Sequence, residues 1–336
     1  MVLKGLILLL IAVVVNCLPS DAPPEAVSSW NQFVSDHQRV YNSVEEETKR
    51  FEIFLKNLEE IKRLNEVHKR SATFDVNEFA DLSKEEFEKA YLSKNNFFEP
   101  LSHFSLIEEK KNMTLPPWRD VVADSLPSSF DWTKEGVATE VKNQNDPKRC
   151  GSCYAFGTVG AIEAHAQLKY GKAFDLSEQQ ILDCSGQQGC DGGVVLFAYR
   201  YLVGKTLNSE QRYPYKGEKG NCRYRTQPND VRITEFVNVP RSEEELKRIV
   251  ATVGPVTVSY DATAHQFFKQ GILKECTNRV NHTVLLVGYG TENGEDFWII
   301  KNSWGSRWGQ GGYAKIIRNR GDKCGIALWA IYPIVA

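Results

Sequence analysis

A chain of 336 residues, 42% of them apolar and 25% charged, has room for about two folded units, and its make-up excludes a disordered or collagen-like protein. Its 41 basic residues against 43 acidic ones leave a net charge of −2, an overall balance unlike that of a dedicated nucleic-acid binder.

The chain opens with one lysine and an unbroken apolar run from Leu6 to Val15. Ten apolar residues are too few to span a bilayer, which needs about 20. The run has the length of a signal-peptide core, with Val15 and Cys17 as small residues before a cut, so residues 1–17 are expected to be a signal peptide. An uncleaved anchor is the competing reading. No later segment has 18 uninterrupted apolar residues, so a mature protein without stable membrane association is expected, delivered through an oxidising compartment.

Residues 25–95 read as helical. In EEETKRFEIFLKNLEEIKRLNEVHK, Phe51, Phe54, Leu58, Ile61 and Leu64 recur at three- and four-residue steps and form one apolar stripe. A second pattern overlies it: Glu46, Arg50, Phe54, Asn57, Ile61 and Asn65, followed by DVNEFAD at 75–81. Residues 96–125 lack periodicity and read as an extended linker, where Asn112-Met113-Thr114 is an exposed glycosylation sequon.

From Leu126 the composition changes. YAFGTVGAIEAHAQLKY predicts a helix beginning near Cys153, Ser177 an N-cap, and Ser242 with Glu245 a capping box. VRITEFVNV, PVTVSY, HTVLLVGYG, DFWIIKN and GGYAKIIR predict strands. Helices first and strands second suit an α+β protein with a helical half and a sheet-rich half. Residues 126–336 carry a net +4 and residues 1–125 a net −6, so the two parts are expected to attract each other.

Of eight cysteines, removal of Cys17 with the signal leaves seven, all after residue 149. An odd count in a secreted protein means at least one unpaired thiol, and three disulfides plus one free cysteine is the simplest arrangement. Six cysteines allow 15 pairings. Zinc is not indicated, because no pair of CxxC motifs is present. No cofactor or metal is expected.

The free thiol is assigned to Cys153, in CGSCYAF. His282 in VNHTVLLVGYG lies 129 residues on, and Asn302 in IIKNSWG lies 149 residues on. Taken alone, each is more often packing than chemistry. In this order and spacing they are the parts of a thiolate nucleophile, a base and a group that orients the base. A helix N-terminus and an imidazolium are the two features that stabilise a thiolate.

These motifs make the chain resemble the papain family of cysteine proteases, in cathepsin L-like preproenzyme form. The six-position pattern and DVNEFAD resemble the family's two propeptide motifs, with Asp75 where the family usually has Gly. The resemblance covers nearly all of residues 25–336. It implies a papain-like two-domain fold, a helical left domain and a β-barrel-like right domain, preceded by a helical inhibitory propeptide at 18–125 and followed as a mature peptidase domain at 126–336. It implies hydrolysis of peptide bonds in a zymogen of the secretory pathway, lysosomal or extracellular. Protein and peptide substrates, the chain's own propeptide and cystatin-like inhibitors are the implied partners of a monomer.

Residue by residue, the resemblance implies Cys153, His282 and Asn302 as the catalytic set, and Gln144 with the Cys153 backbone N–H as oxyanion donors. It implies that Trp304 shields the Asn302–His282 bond and that Trp308 lines the leaving-group side. Gly192, Gly193, Val194, Val195, Ser259, Val280 and Trp329 match substrate-binding positions. The implied bridges are Cys150–Cys190, Cys184–Cys222 and Cys276–Cys324.

Three departures stand out. Tyr154 replaces the common Trp. Asn281-His282-Thr283 forms a sequon beside the candidate base, expected to be unused. Residues 145–149 lengthen the gap between Gln144 and Cys150, and a comparable insertion makes one relative a carboxypeptidase. Lys148 and Arg149 in this insertion are cations positioned to attract a substrate carboxylate, so an exopeptidase is the alternative activity. A catalytically silent binding relative is the alternative outside enzymes.

Overall fold

The computed structural model describes residues 22–92, 125–137 and 140–336. The expected signal peptide, Asn112 and most of the linker lie outside the described residues.

The front part is built from α1 (Pro24–Asp36), α2 (Val44–His68), a short strand β1 (Ala72–Phe74) and α3 (Lys84–Tyr91). Serines start two of the helices. Ser43 accepts from the Glu46 amide, and Ser83 and Glu86 form a reciprocal capping box. The apolar face of α2 meets α1 over Trp30, Phe33, Phe51 and Phe54, with Ala80 beneath them. The polar members of the overlaid pattern hold the chain that follows. Arg50 donates to the Asp81 carbonyl and pairs with Glu86 at 2.6 Å. Asn57 donates to the carbonyls of Ala80 and Leu82, and Asn65 exchanges two hydrogen bonds with the Phe74 backbone. The side chains of α2 thus fix residues 74–86 in one path.

The back part follows as β2 (Phe130–Asp131), α4 (Cys153–Tyr170), α5 (Glu178–Cys184), α6 (Val195–Leu202), β3 (Thr206–Leu207), β4 (Val231–Asn238), α7 (Glu243–Thr252), β5 (Val256–Tyr260), β6 (Phe268–Leu273), β7 (His282–Glu292), β8 (Glu295–Lys301), β9 (Tyr313–Ile317) and β10 (Ala330–Val335). The sheet runs β1-β6-β9-β8-β7-β5-β10-β4-β3, antiparallel except where β6 meets β9, with β2 paired to β7. The front part therefore contributes the outermost strand, β1.

One apolar cluster fills the helical half, from α4 to α6. Another fills the sheet and reaches into the front part through Phe79, Phe87 and Tyr91. Helix α4 is buried nearly all round, as a helix without a polar face must be. Its Gly157 permits close approach to β7: a Cβ there would stand 2.6 Å from the Thr283 methyl. Ser177 caps α5 as expected, and Ser242 accepts from the Glu245 amide. The capping box at Ser242 is not completed, because the Glu245 carboxylate turns to Arg248.

Disulfides join Cys150 to Cys190, Cys184 to Cys222 and Cys276 to Cys324, and Cys153 is free. Among the described residues no helix is long and apolar enough to cross a membrane.

Candidate active site

Cys153 is the first residue of α4, so its thiol sits where the helix dipole favours negative charge. The close approach at Gly157 sets this end of α4 against the start of β7, where His282 is the first residue. Register does the rest: His282 pairs with Tyr260 across β5 and β7, and Thr283 with Ser259. Thr283 contacts the Cys153 thiol through both its backbone and its hydroxyl. The thiol thus lies beside the residue that follows His282.

Asn302 follows the last residue of β8. Its Oδ1 stands 2.7 Å from His282 Nε2 and also accepts from the Ser303 amide at 2.8 Å. The Ser303 N–H fixes which end of the Asn302 amide is oxygen, since a nitrogen there would set donor against donor. His282 Nε2 must then carry the hydrogen. The lone pair falls on Nδ1, which is buried and has no hydrogen-bond partner. Trp304 covers this pair, its indole 4.6 Å from the imidazole.

Gln144 is fully buried and held at three points. Its backbone donates to the Ser303 carbonyl at 2.8 Å, its Nε2 donates to the Cys150 carbonyl at 2.9 Å, and its Oε1 accepts from the Ser303 hydroxyl at 2.7 Å. Lys142, two residues earlier, anchors this stretch by ion pairs to Glu163 at 2.9 Å, Glu178 at 3.0 Å and Asp175 at 2.9 Å. Tyr215 ties the other side, with its hydroxyl 2.6 Å from Ser152 Oγ and 2.7 Å from the Gln144 carbonyl. Tyr215, Thr283 and Ser303 were missed in the sequence. Tyr215 had no signal, being 71 residues from the backbone it holds.

In this closed form burial favours the neutral state of both Cys153 and His282. Burial pushes the Cys153 thiol up, against the contacts with Thr283. Burial pushes His282 down to about 4, although the Asn302 contact favours its charged form.

The substrate-binding positions divide. Gly192 and Gly193 follow the Cys190 bridge, with Gly193 against the Tyr154 ring. Ser259 lies next to Thr283, its amide donating to the Trp329 carbonyl at 3.2 Å. Val194, Val195 and Val280 are buried. Trp329 is half-buried, with the Arg241 guanidinium 4.8 Å over its ring. Trp308 departs from expectation: it is fully buried edge-on to Trp304 at 5.0 Å and donates to the His265 carbonyl. It supports the Trp304 wall from behind instead of lining it. Asn281 Nδ2, which would carry a glycan, donates inward to Thr263 Oγ1 at 2.8 Å.

The pattern described as papain family cysteine protease matches residues 126–334, well over half of the chain. The chain belongs to the papain family of cysteine proteases. The family's inhibitory module, described as the cathepsin propeptide inhibitor domain, matches residues 30–87. The chain is 38% identical to procathepsin L of Rattus norvegicus over 324 residues, covering 92% of each chain. It is 38% identical to the cathepsin L-like peptidase of Aedes aegypti over 326 residues, covering 91% of this chain and 92% of that one. Among solved structures it is similar to the recombinant stem bromelain precursor, with a TM-score of 0.81 and 34% identity over 92% of this chain and 98% of that one. It is also similar to digestive procathepsin L 3 of the Tenebrio molitor larval midgut, with a TM-score of 0.76 and 35% identity over the same shares. The protein is a papain-family peptidase in zymogen form, with the α+β fold of the family.

The papain-family propeptide closes the site mainly by backbone pairing and aromatic packing. Strand β1 adds to β6, with Ala72 opposite Gly271. A Cβ at Gly271 would stand 2.3 Å from the Ser71 carbonyl oxygen, so the two strands meet only because that side chain is absent. Asn77 donates to the Gln266 carbonyl, and Gln266 returns bonds to the carbonyls of Phe79 and Leu82. Phe79, Phe87 and Tyr91 then meet the Trp304 indole edge-on at 5.6, 5.3 and 6.2 Å. The expected charge attraction contributes little here. Among the described residues, Lys269–Asp75 is the ion pair that joins the two parts, and both of its members are half-exposed.

Proposed function

We propose that this papain-family protein is a cysteine endopeptidase, and that Cys153, His282, Asn302 and Gln144 perform the reaction. The observation that carries this reading is the His282–Asn302 pair: it leaves His282 Nδ1 with a lone pair and no partner, while Thr283, the next residue, contacts Cys153, the one free cysteine among the described residues, at a helix N-terminus. When the propeptide leaves and water enters, the penalty on charge at Cys153 and His282 falls, and the thiol proton moves to Nδ1. The thiolate attacks the scissile carbonyl carbon. The resulting oxyanion takes hydrogen bonds from the Cys153 backbone N–H and from the second Nε2 hydrogen of Gln144. His282 then gives its proton to the leaving amine, and water hydrolyses the acyl-enzyme with His282 as base.

Residues 1–17 direct the chain into the secretory pathway, and residues 18–125 are removed to leave 126–336 as a monomeric lysosomal or extracellular enzyme open to cystatin-like inhibitors. Labelling with a thiol-directed epoxide tests the reading. Acid-processed protein is expected to react at Cys153, and intact zymogen and Cys153→Ala protein not to. Equal labelling of zymogen and processed enzyme would contradict it.

A further inference from the structure

A cavity of about 330 Å³ lies between the propeptide and the mature part, on the Trp304 side of the site. Because Trp304 covers His282, and His282 protonates the leaving amine, this wall faces the half of the substrate that departs. From the mature part it is lined by Asn143, Asn145, Arg149, Trp304 and Arg307, and no carboxylate stands among its mature lining residues. Arg149 and Arg307 are exposed, and among the described residues neither is paired with a carboxylate. Asn145 adds a buried, unpartnered Nδ2 donor. The carboxylate that faces this wall in the zymogen belongs to the propeptide. Glu78 lines the same cavity with one carboxyl oxygen, Oε2, unpartnered. Burial pushes this carboxyl up, while the Arg307 and Arg39 charges pull against the shift.

Removal of the propeptide takes away Glu78 and Arg39 together and leaves two guanidinium groups without an anion. We propose that Arg149 and Arg307 form a subsite that accepts a carboxylate in the leaving half of the substrate, a position that Glu78 occupies in the zymogen. This rests on the peptidase reading above. Lys148, expected from sequence to share this role with Arg149, is left out of it, because it does not line this cavity and its ammonium turns to Glu218. Guanidinium groups suit the subsite because their forked donors match a carboxylate. The carboxylate has two sources, an acidic side chain or a free C-terminus.

The test uses the processed enzyme and quenched peptides that share one acyl half. Their leaving halves carry Glu or Gln and end as an amide or a free acid. The Glu peptide or the free-acid peptide is expected to show kcat/KM about three- to tenfold above its neutral twin at low salt, with the ratio shrinking as salt rises. Preference for Glu assigns the subsite to side chains, and preference for the free acid alone assigns it to the C-terminus. Arg149→Gln with Arg307→Gln should bring the ratio to one, and Arg149→Lys with Arg307→Lys should restore part of it. Ratios are read within each variant, so a change in the amount of folded enzyme does not enter. A substrate with only a reporter amine after the scissile bond separates the two claims. If it is not hydrolysed, the peptidase reading fails. If it is hydrolysed while both peptide pairs react equally, the subsite is overturned and the peptidase reading stands.

Discussion

Phe87 of the propeptide meets Trp304 edge-on, with ring centroids 5.3 Å apart and planes at 80°. The same indole lies 4.6 Å from His282, so one side chain of the mature part is shared between latency and the candidate catalytic pair. Phe87 is fully buried. Truncating a buried Phe costs about 3–5 kcal/mol. Phe87→Ala should therefore loosen the propeptide and speed zymogen processing at pH 5 at least tenfold. An unchanged processing rate would show that this aromatic contact does not hold the zymogen closed.

Acid has opposite effects on two propeptide carboxylates. Burial pushes Glu86 up, but the Ser83 amide and the Arg50 guanidinium outweigh it and hold the carboxyl below its usual 4.5. Its contribution is therefore present above about pH 4.5 and is lost as pH falls through the lower value in the folded form. Glu86→Gln should remove that contribution at every pH, so that processing is faster at pH 6 and depends less on acid. Glu78 is raised by burial, so proton uptake favours the closed form, and Glu78→Gln should slow processing at pH 6. Processing profiles of the two variants against pH check both signs. Shifts in the same direction would contradict this account.

Trp329 bears on substrate choice. Its backbone bonds Ser259, its ring carries the Arg241 guanidinium, and the valines matched to the same pocket are apolar. None of the residues matched to this pocket is a carboxylate, and a substrate cation there would meet the Arg241 charge. Leu, Val or Pro two residues before the cut should be preferred over Phe, with Arg rejected. Each misfit should cost about 1–3 kcal/mol in the transition state. Trp329→Ala should shift the preference toward aromatics. A peptide-library profile dominated by Arg or Phe at that position would show this reading to be wrong.

Much of this was legible because its signals are local. The stripe of α2, the caps at Ser177 and Ser242, and the strands rich in Val and Ile carry their pattern within a few residues. The order of the Cys153, His282 and Asn302 motifs pointed to the candidate site. Strands β6 and β10 were not foreseen. FKQGIL is half polar with a glycine inside, and AIYPIV contains Pro333, which pairs opposite Phe236 without needing to be a typical strand former. Both exist through their neighbours, and β6 offers its outer edge to the propeptide. The roles of Tyr215 and Arg307 depend on contacts between distant stretches, which no local pattern encodes. Net charge foretold an attraction between the two parts, whereas docking is carried by β1 and the rings around Trp304.

The central claim is that the Cys153 thiol, activated by His282, is the nucleophile, and Cys153→Ser tests it most directly. A serine hydroxyl stays protonated beside His282 where a thiol ionises, so the variant should fold, retain its propeptide contacts and lose nearly all kcat/KM toward peptides. Retention of more than a few per cent of the wild-type value, in enzyme freed of its propeptide by an added protease that is then inhibited, would contradict the account.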